Sequence, residues 1–476
     1  MYAITVFLAF LAYHVTARES DYCLANDNEP YLYFGTKSAY NFMHGNLKPE
    51  LTCKPIQIFV ISRHGTRYPG SKVIPKMKTL LNLRQQIVFN HEERKMGHLC
   101  EEDLQNFKFW QLDEHVREDM ADFLSPQGEA DLKELALRLR EGFPSLLKPN
   151  DTSRMNSNYL FESTKTQRTE ASMEAFIEGL FGSKNAVTPK TAPQNDTLLH
   201  ANKNCPTWEE ATNNEGYYTE VKKFNEGPEM QNVLVNVSRR LGFTENLTLD
   251  TVNIMYDMCR FEKAWRIEKV STWCAAFSKN ELRTLEYRED LNYYYYTGPG
   301  RDINAKLGCP PMKNMFEHFR KLEGDNYSEE PKGIFYFSHT VTLQTLATLL
   351  GIYDNHEKLL ASNFKYMAKR QWRTTFVGPF ATNFIAVFYK CNDTRSSNIH
   401  NKVLLHWAER IVQYEGCNVG LCDWEFLKQK LGKKADECNM DFCYNSGPSI
   451  KSNFSMLNLL FSFFALVSTF NQSFYI

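Results

Sequence analysis

Short apolar runs recur along the chain and are separated by stretches with helical periodicity. The runs IQIFVIS (56–62) and GIFYFS (333–338) are continuously apolar, which is typical of strands buried on both faces of a sheet. Three further runs predict strands at 156–163, 382–390 and 402–407.

The stretches between these strands predict helices. The clearest is 125–143, in which Ser125 is a natural N-cap and Pro126 occupies the first helical position. Leucines recur along it at helical spacing and form one apolar stripe. Other helices are predicted past Pro75, at 169–182 and at 339–351.

Alternating strands and helices predict an α/β fold, with a mainly parallel or mixed sheet and helices on both sides. The polar stretch from about 185 to 310 interrupts this alternation and predicts an inserted, mostly α-helical subdomain. We expect an α/β core at about 50–80, 125–185 and 311–410, a subdomain at about 81–124 and 186–310, and a cysteine-rich segment at 411–445.

Composition limits the functional classes. The chain has 476 residues, of which 43% are hydrophobic and 14% aromatic, and these values argue against disorder. Its length predicts one large domain with insertions, or two domains. Because the formal net charge is −1, no general attraction to nucleic acid is expected, and any anion site must come from a local cluster.

Both ends of the chain carry apolar segments that predict targeting. Residues 1–17 predict a signal peptide; the alternative is a buried N-terminal strand or helix. Small residues, a polar spacer and an apolar tail at 446–476 predict a removed GPI signal, with Asn445 or Ser446 as attachment residue. A short single-span anchor and an ordinary apolar tail are the alternatives.

Cysteines and glycosylation sequons also point to the secretory pathway. Twelve cysteines follow residue 17 without a CxxC pair, which predicts disulfides rather than a metal site. Their connectivity stays open, although local bridges are expected among Cys417, Cys422, Cys438 and Cys443. Six sequons are predicted glycosylation sites: Asn150, Asn195, Asn236, Asn246, Asn326 and Asn392.

Polar residues follow three of the predicted strands, in IFVISRHGTRYPG, YLFESTKTQRTEAS and IFYFSHTVT. Ligands of open α/β sheets bind at the carboxyl ends of the strands, so these residues should converge. They supply three guanidinium groups and two imidazoles, on Arg63, His64, Arg67, Arg168 and His339.

This set predicts a phosphoryl-transfer site. Guanidinium groups match phosphate oxygens in pairs, and a neutral imidazole is a good nucleophile toward phosphorus. His64 would form a phosphohistidine, and His339 would contact the same oxygens. No metal or other cofactor is needed. A capping histidine among solvated arginines is the alternative, but burying so much positive charge together is costly without an anion.

The motif RHGTRYPG resembles the RHGxRxP signature of the histidine acid phosphatases, within the phosphoglycerate-mutase-like superfamily. More of the chain, from about residue 30 to 445, resembles the multiple inositol polyphosphate phosphatases within that family. The similar segments are YLYFGTKSAY, FLSPQGEADL, KTQRTEASMEAFIEGL, CRFEKAWRIEKVSTWCAAF, EYREDLNYYYYTGPGRDIN, GPFATNF and YEGCNVGLCDWEFLK.

The resemblance implies an α/β core with an α subdomain, and removal of phosphate from inositol hexakisphosphate and its lower forms. It implies His64 as the nucleophile, with Arg63, Arg67, Arg168 and His339 as phosphate ligands. Members of this branch are secreted or lie in the endoplasmic reticulum lumen, and the resemblance implies anionic phosphorylated small molecules as partners. The C-terminal segment, rather than the resemblance, predicts attachment to the cell-surface membrane through a GPI anchor.

One departure concerns the proton donor. In this branch the second histidine is followed by a small residue and a glutamate, whereas Thr340 and Val341 follow His339 here. Losing a general acid costs about 10²- to 10⁴-fold in rate. Thr340 or Thr342 would be poor substitutes. A smaller departure is KVLLHW, where a polar, acid-containing strand end is expected.

Three functions therefore remain open at this point. The first is an active phosphatase for inositol phosphates or related monoesters. The second is a catalytically impaired relative that binds phosphorylated ligands. The third is a structural or adhesive role at the cell surface, against which the complete phosphate pocket argues.

Overall fold

The computed structural model describes residues 23–24, 32–47, 53–149, 151–324, 327, 329–392 and 399–444. Several predictions fall outside the described residues. They are the signal peptide (1–17), the GPI tail (446–476), the attachment residues Asn445 and Ser446, and the sequons at Asn150 and Asn326.

A seven-stranded mixed sheet forms the centre of the fold. Its strands are β1 (Lys54–Arg63), β2 (Tyr159–Ser163), β3 (Gly333–Ser338), β4 (Asn383–Asn392), β5 (Ile399–Trp407), β6 (Arg410–Ile411) and β7 (Leu421–Asp423). They run in the order β2-β3-β1-β4-β5-β6, and β7 pairs with β5. β2, β3 and β1 are parallel neighbours, whereas β4 is antiparallel to both β1 and β5.

Helices alternate with these strands. Before β2 lie α1 (Ile74–Lys78), α2 (Leu80–Glu92), α3 (Glu101–Phe109), α4 (Pro126–Gly142), α5 (Pro144–Leu147) and α6 (Met155–Asn158). Between β2 and β3 lie α7 (Gln167–Phe181), α8 (Pro206–Asn213), α9 (Thr219–Glu226), α10 (Pro228–Arg240), α11 (Leu249–Trp265), α12 (Lys279–Tyr296), α13 (Asp302–Leu307) and α14 (Cys309–Arg320). After β3 lie α15 (Thr340–Leu350), α16 (Thr374–Val377), α17 (Trp424–Leu427) and α18 (Lys433–Asp436).

Local sequence explains the best-formed elements. Ile58 to Ile61 of β1 are fully buried, as the continuous apolar run predicted. The Ser125 side chain accepts a hydrogen bond from the Gly128 N–H and caps α4. Gly182 ends α7 at a φ of 81°, a left-handed conformation that glycine adopts without strain. The α/β class and the mixed sheet are confirmed.

Two predicted boundaries were wrong. The strand predicted at 156–163 begins only at Tyr159, because the preceding residues form the helical turn α6. The helix predicted past Pro75 is divided into α1 and α2 at Thr79. Both errors lie at element ends, where short-range propensity is weakest.

All twelve cysteines are paired in six disulfides. The bridges are Cys23–Cys100, Cys53–Cys391, Cys205–Cys443, Cys259–Cys274, Cys309–Cys438 and Cys417–Cys422. The expectation of local C-terminal bridges holds only for Cys417–Cys422, because Cys438 and Cys443 reach back to distant helices. Six disulfides indicate an extracellular or secretory-pathway protein. Among the described residues, no helix is long and apolar enough to cross a membrane.

Candidate active site

The predicted site residues converge at the carboxyl ends of three adjacent strands. Arg63 ends β1 and His64 follows it, Arg168 lies in the first turn of α7 after β2, and His339 follows β3. The His64 and His339 ring centroids are 5.7 Å apart. The parallel pairing of β2, β3 and β1 therefore brings together residues that are more than 270 positions apart in the sequence.

The backbone after β1 orients the His64 imidazole. Nδ1 of His64 lies 2.8 Å from the Gly65 carbonyl oxygen, so Nδ1 carries the proton and donates it there. The lone pair then resides on Nε2, the atom that is free to attack a ligand. Gly65 is required by close packing, because a Cβ there would lie 2.3 Å from the Gly128 carbonyl oxygen.

A buried carboxylate on α4 holds the same loop. Asp131 Oδ2 accepts hydrogen bonds from the Thr66 N–H (3.0 Å) and the Thr66 hydroxyl (2.7 Å). Burial raises the pKa of Asp131 to about 6, against the lowering effect of these hydrogen bonds. The Ser172 hydroxyl of α7 accepts from the Gly65 N–H. Two helices thus fix the loop that carries His64.

Arg63 is buried and is held by backbone carbonyls instead of a carboxylate. Its Nη1 donates to the oxygens of Thr36 (2.6 Å) and Gly378 (2.7 Å), and the guanidinium carbon lies 4.6 Å from the Phe380 ring centroid. Burial, together with the nearby Arg67 and Arg168 charges, lowers the pKa of Arg63 to about 9. An anion bound here would relieve this repulsion.

Two carboxylates of α12 keep those carbonyls in place. Glu289 accepts from the N–H and hydroxyl of Thr36, at 2.8 and 2.6 Å. Glu286 accepts from the Thr375 hydroxyl, and Thr375 in turn accepts from the Gly35 N–H. The resembling segments around residues 35, 286 and 378 therefore meet in space to support Arg63.

The other two guanidinium groups lie beside it. Arg67 pairs with Asp122 at 2.9 Å, and its carbonyl accepts from the Trp265 indole. Arg168 Nη2 lies 3.4 Å from His339 Nδ1, so Nδ1 of His339 is an acceptor. Burial and the Arg67 charge lower the pKa of Arg168.

His339 has a defined tautomer. The Thr164 hydroxyl donates to Thr169 and therefore accepts from His339 Nε2–H at 3.0 Å. Burial and the neighbouring Arg168 charge hold the pKa of His339 well below its usual value. A neutral His339 ring adds no positive charge of its own to the site.

His64 is also neutral. Burial, followed by the charges of Arg63 and Arg168, lowers the pKa of His64 well below its usual value. A neutral imidazole keeps the lone pair that a nucleophile needs, and the surrounding guanidinium groups attract an anion toward it.

The position of the missing acid is apolar. Val341 packs against a small buried cluster that includes Ala201, Cys205 and Leu307. The Thr342 hydroxyl donates to the Leu199 carbonyl at 2.7 Å, so its proton is already engaged. The ring of His200 stacks on His339, with centroids 4.8 Å apart. His200 was not predicted from the sequence.

An acidic residue lies two positions after the KVLLHW segment (402–407), whereas the sequence predicted one within the strand end. Glu409 follows β5, is buried, and binds Arg138 Nε at 2.8 Å and the Tyr40 hydroxyl at 2.7 Å. Its oxygens are occupied by these partners. His406 within the strand is buried, which lowers its pKa to about 4.

One group of described side chains has metal-ligand spacing, formed by Cys23, Cys100 and Asp103. The two cysteines form a disulfide and so cannot offer thiolates. This group does not include any predicted site residue.

Sequence reasoning missed the supports of the site. Asp131, Ser172, Glu286 and Glu289 lie in helices, where a carboxylate or hydroxyl is usually a solvated surface group. Their burial follows only from tertiary packing. The available signal was that Asp131 and Glu289 lie within segments resembling the phosphatase family, although those segments did not reveal their contacts.

Comparisons with known proteins identify the family of the chain. The family model of the histidine phosphatase superfamily (branch 2) matches residues 56–406. The chain is 34% identical to a Drosophila melanogaster protein named multiple inositol polyphosphate phosphatase 1, over 92% of this chain and 94% of the relative. Its identity to the human protein of the same name is 30%, over 85% of this chain and 87% of the relative.

Solved structures share the fold. The phytase from D. castellii superposes with a TM-score of 0.69 at 17% identity, covering 92% of each chain. The Bifidobacterium longum multiple inositol polyphosphate phosphatase in complex with phosphate gives 0.63 at 13% identity, covering 86% of this chain and 99% of that one.

The chain belongs to the histidine phosphatase superfamily, branch 2. Within it, the protein is a phosphoric monoester hydrolase of the histidine acid phosphatase type.

Proposed function

We propose that this protein removes phosphate from inositol polyphosphates, including inositol hexakisphosphate, through a phosphohistidine on His64. The observation that carries the proposal is the free Nε2 of His64, which lies among Arg63, Arg67 and Arg168 at one edge of the sheet. The names of the Drosophila and human relatives support this choice of substrate.

In the proposed reaction the three guanidinium groups hold the phosphoryl oxygens, and His339 orients Arg168 through its Nδ1. Nε2 of His64 attacks phosphorus in line with the leaving oxygen, whose bond to phosphorus breaks. Water then attacks the phosphohistidine and releases phosphate, returning the electron pair to Nε2. The fixed tautomer of His64 supports this role.

Additional positive charge supports a substrate with several phosphates. Lys37 and Arg67 both lie near the face of Phe261, at 5.8 and 5.9 Å from the ring centroid. A single phosphate needs the three arginines, and Lys37 would remain for a neighbouring ring phosphate. Its ion pair with Asp257 (3.4 Å) is long enough to exchange for such a group.

A second candidate function is binding of phosphorylated ligands without efficient turnover. The observation that favours it is the apolar packing of Val341 at the position where the family has a glutamate. Phosphate capture would be unchanged in such a protein, and only the departure of an alkoxide would be slow.

The test measures phosphate release from inositol hexakisphosphate and from an aryl phosphate at acid pH. We expect release from both, and none from His64→Ala, which retains the three arginines and serves as the binding control. Release from the aryl phosphate alone, with tight binding of inositol hexakisphosphate, would support the second candidate. Release from neither ester would contradict the enzyme.

We also propose that the protein is glycosylated and held at the cell surface by a GPI anchor. Asn195, Asn246 and Asn392 are exposed and Asn236 is half-buried, which supports attachment of glycans. Phosphatidylinositol-specific phospholipase C should release the protein from intact cells, and Asn445→Gln together with Ser446→Leu should prevent anchoring. Retention on the membrane after the lipase would contradict the anchor.

A further inference from the structure

The segment 199–204 lies directly beside His339. The His200 ring stacks on the His339 ring at an interplanar angle of 30°, and the His339 ring in turn contacts the His64 ring. Three imidazoles are thus linked by successive ring contacts. His200 is half-buried, so one part of its ring remains accessible to a ligand.

Hydrogen bonds fix this segment to the end of β3 and the start of α15. The Leu199 carbonyl accepts from the hydroxyls of Ser338 (2.6 Å) and Thr342 (2.7 Å). The Leu199 N–H donates to Asp196 Oδ1 at 2.7 Å, and the Asn204 amide donates to the His200 carbonyl at 3.2 Å. His200 is therefore positioned before any ligand binds.

His200 also adjoins the place where the family carries its acid. The Val341 side chain packs against the cluster that contains Ala201, the residue after His200. The same cluster contains the Cys205–Cys443 disulfide, which closes the segment on its other side. A titratable side chain, that of His200, is thus found near position 341, where the family has its acid.

We propose that His200 is the proton donor to the leaving oxygen, in place of the carboxylate that is absent at position 341. This inference rests on the proposed phosphatase function and adds a catalytic residue to it. An in-line attack by His64 places the leaving oxygen on the far side of phosphorus from that ring. His200 stacks on His339, which contacts the His64 ring, so His200 adjoins the site in which that oxygen would lie.

The step balances as follows. The bond between His64 Nε2 and phosphorus forms while the bond from phosphorus to the alkyl oxygen breaks. The imidazolium of His200 gives its proton to that oxygen, which leaves as the inositol hydroxyl, and His200 becomes neutral. In the second step, hydrolysis of the phosphohistidine, neutral His200 accepts a proton from the attacking water. The electron pair of the broken N–P bond returns to Nε2 of His64.

The charges around His200 set the pH at which it can act. Lys203 lies on its own segment, Arg168 on α7, and His339 faces it from the end of β3. Burial and then the Lys203 and Arg168 charges lower the pKa of His200, so an acid pH favours its imidazolium form. A bound phosphate dianion raises the pKa of His200 again and adds to the supply of that form.

The test compares two substrates whose leaving groups differ in their need for a proton. Rapid mixing measures the rate of phosphoenzyme formation from inositol hexakisphosphate and from 4-nitrophenyl phosphate, whose leaving group needs no proton. For His200→Gln we expect the inositol rate to fall about 10²- to 10⁴-fold and the nitrophenyl rate to change less than about threefold. His200→Ala repeats the test without the amide, and His356→Ala removes an exposed histidine outside the site as a control.

A uniform fall with both substrates would overturn the proposal, since it would mean that His200 only positions His339. An unchanged inositol rate would overturn it as well. A wild-type protein that forms no phosphoenzyme from either ester would instead contradict the proposed function itself, so the two failures are distinguishable.

Discussion

His64 and His339 have different tautomers, and each is fixed by one short contact. Nδ1 of His64 donates to the Gly65 carbonyl, whereas His339 donates through Nε2 to Thr164. The nitrogen without a proton therefore differs: it is Nε2 in His64 and Nδ1, which faces Arg168, in His339. Identical side chains thus acquire different tautomers from their hydrogen-bond partners.

The charge state of His64 is a prediction at this scale. Because burial and the arginines lower its pKa, the His64 imidazole should stay neutral as the pH of the empty enzyme falls through 6.5, where an ordinary histidine protonates. Nuclear magnetic resonance of ring-labelled histidine, assigned with His64→Gln, measures this. A His64 midpoint near 6.5 would contradict the account.

Among elements, α12 does most to support the site from a distance. Glu289 accepts a hydrogen bond from the N–H of Thr36, and the carbonyl of Thr36 accepts one from Arg63. Glu289 also forms an ion pair with Arg260. Although burial opposes ionisation, the charges of Arg260 and Lys37 lower the pKa of Glu289 to about 2. Its carboxylate therefore stays ionised in the folded protein at pH values where an unfolded chain is protonated.

This shift predicts a pH-dependent stability. A carboxyl whose pKa is lower in the folded state stabilises it fully above the unfolded pKa of about 4.5, and the benefit is lost as the pH falls toward about 2. The unfolding free energy of the wild type should exceed that of Glu289→Gln by about 3 kcal/mol more at pH 6 than at pH 2. Denaturant titrations at both pH values test this, and a difference independent of pH would contradict it.

The elements show how far sequence patterns reach. β1, β3, α4 and α7 were predicted nearly to their ends, because continuous apolar runs and capping residues are local signals. The convergence of Arg63, Arg168 and His339 was also predictable, since it follows from parallel strands that end at one edge. His200 and Glu289 were not, because their places depend on how the chain between β2 and β3 packs.

At the scale of the whole molecule, disulfides connect distant segments to the core. Cys205–Cys443 joins the segment after His200 to the end of the described chain, whereas Cys53–Cys391 joins the start of β1 to β4. Spacing alone could not give this connectivity, since sequence separations of 238 and 338 carry no local signal. The fold class, by contrast, followed from the alternation of elements.

Removing either bridge should cost about 2–5 kcal/mol of unfolding free energy. The pair Cys205→Ser and Cys443→Ser should also lower the ratio of inositol to nitrophenyl rates, because the His200 segment is loosened. The control pair Cys53→Ser and Cys391→Ser should leave this ratio unchanged. Thermal unfolding and the two rates measure the effects, and equal ratios in both variants would contradict a link between this bridge and the site.

The central claim is that His64 accepts the phosphoryl group, and trapping that intermediate tests it most directly. The protein is mixed with inositol hexakisphosphate, quenched in alkali to preserve phosphohistidine, and digested for mass spectrometry. The account predicts phosphate on the peptide that contains His64 in the wild type, and no phosphate on the corresponding peptide of His64→Ala. Turnover of the substrate without phosphate on His64, or with phosphate on another residue, would contradict it.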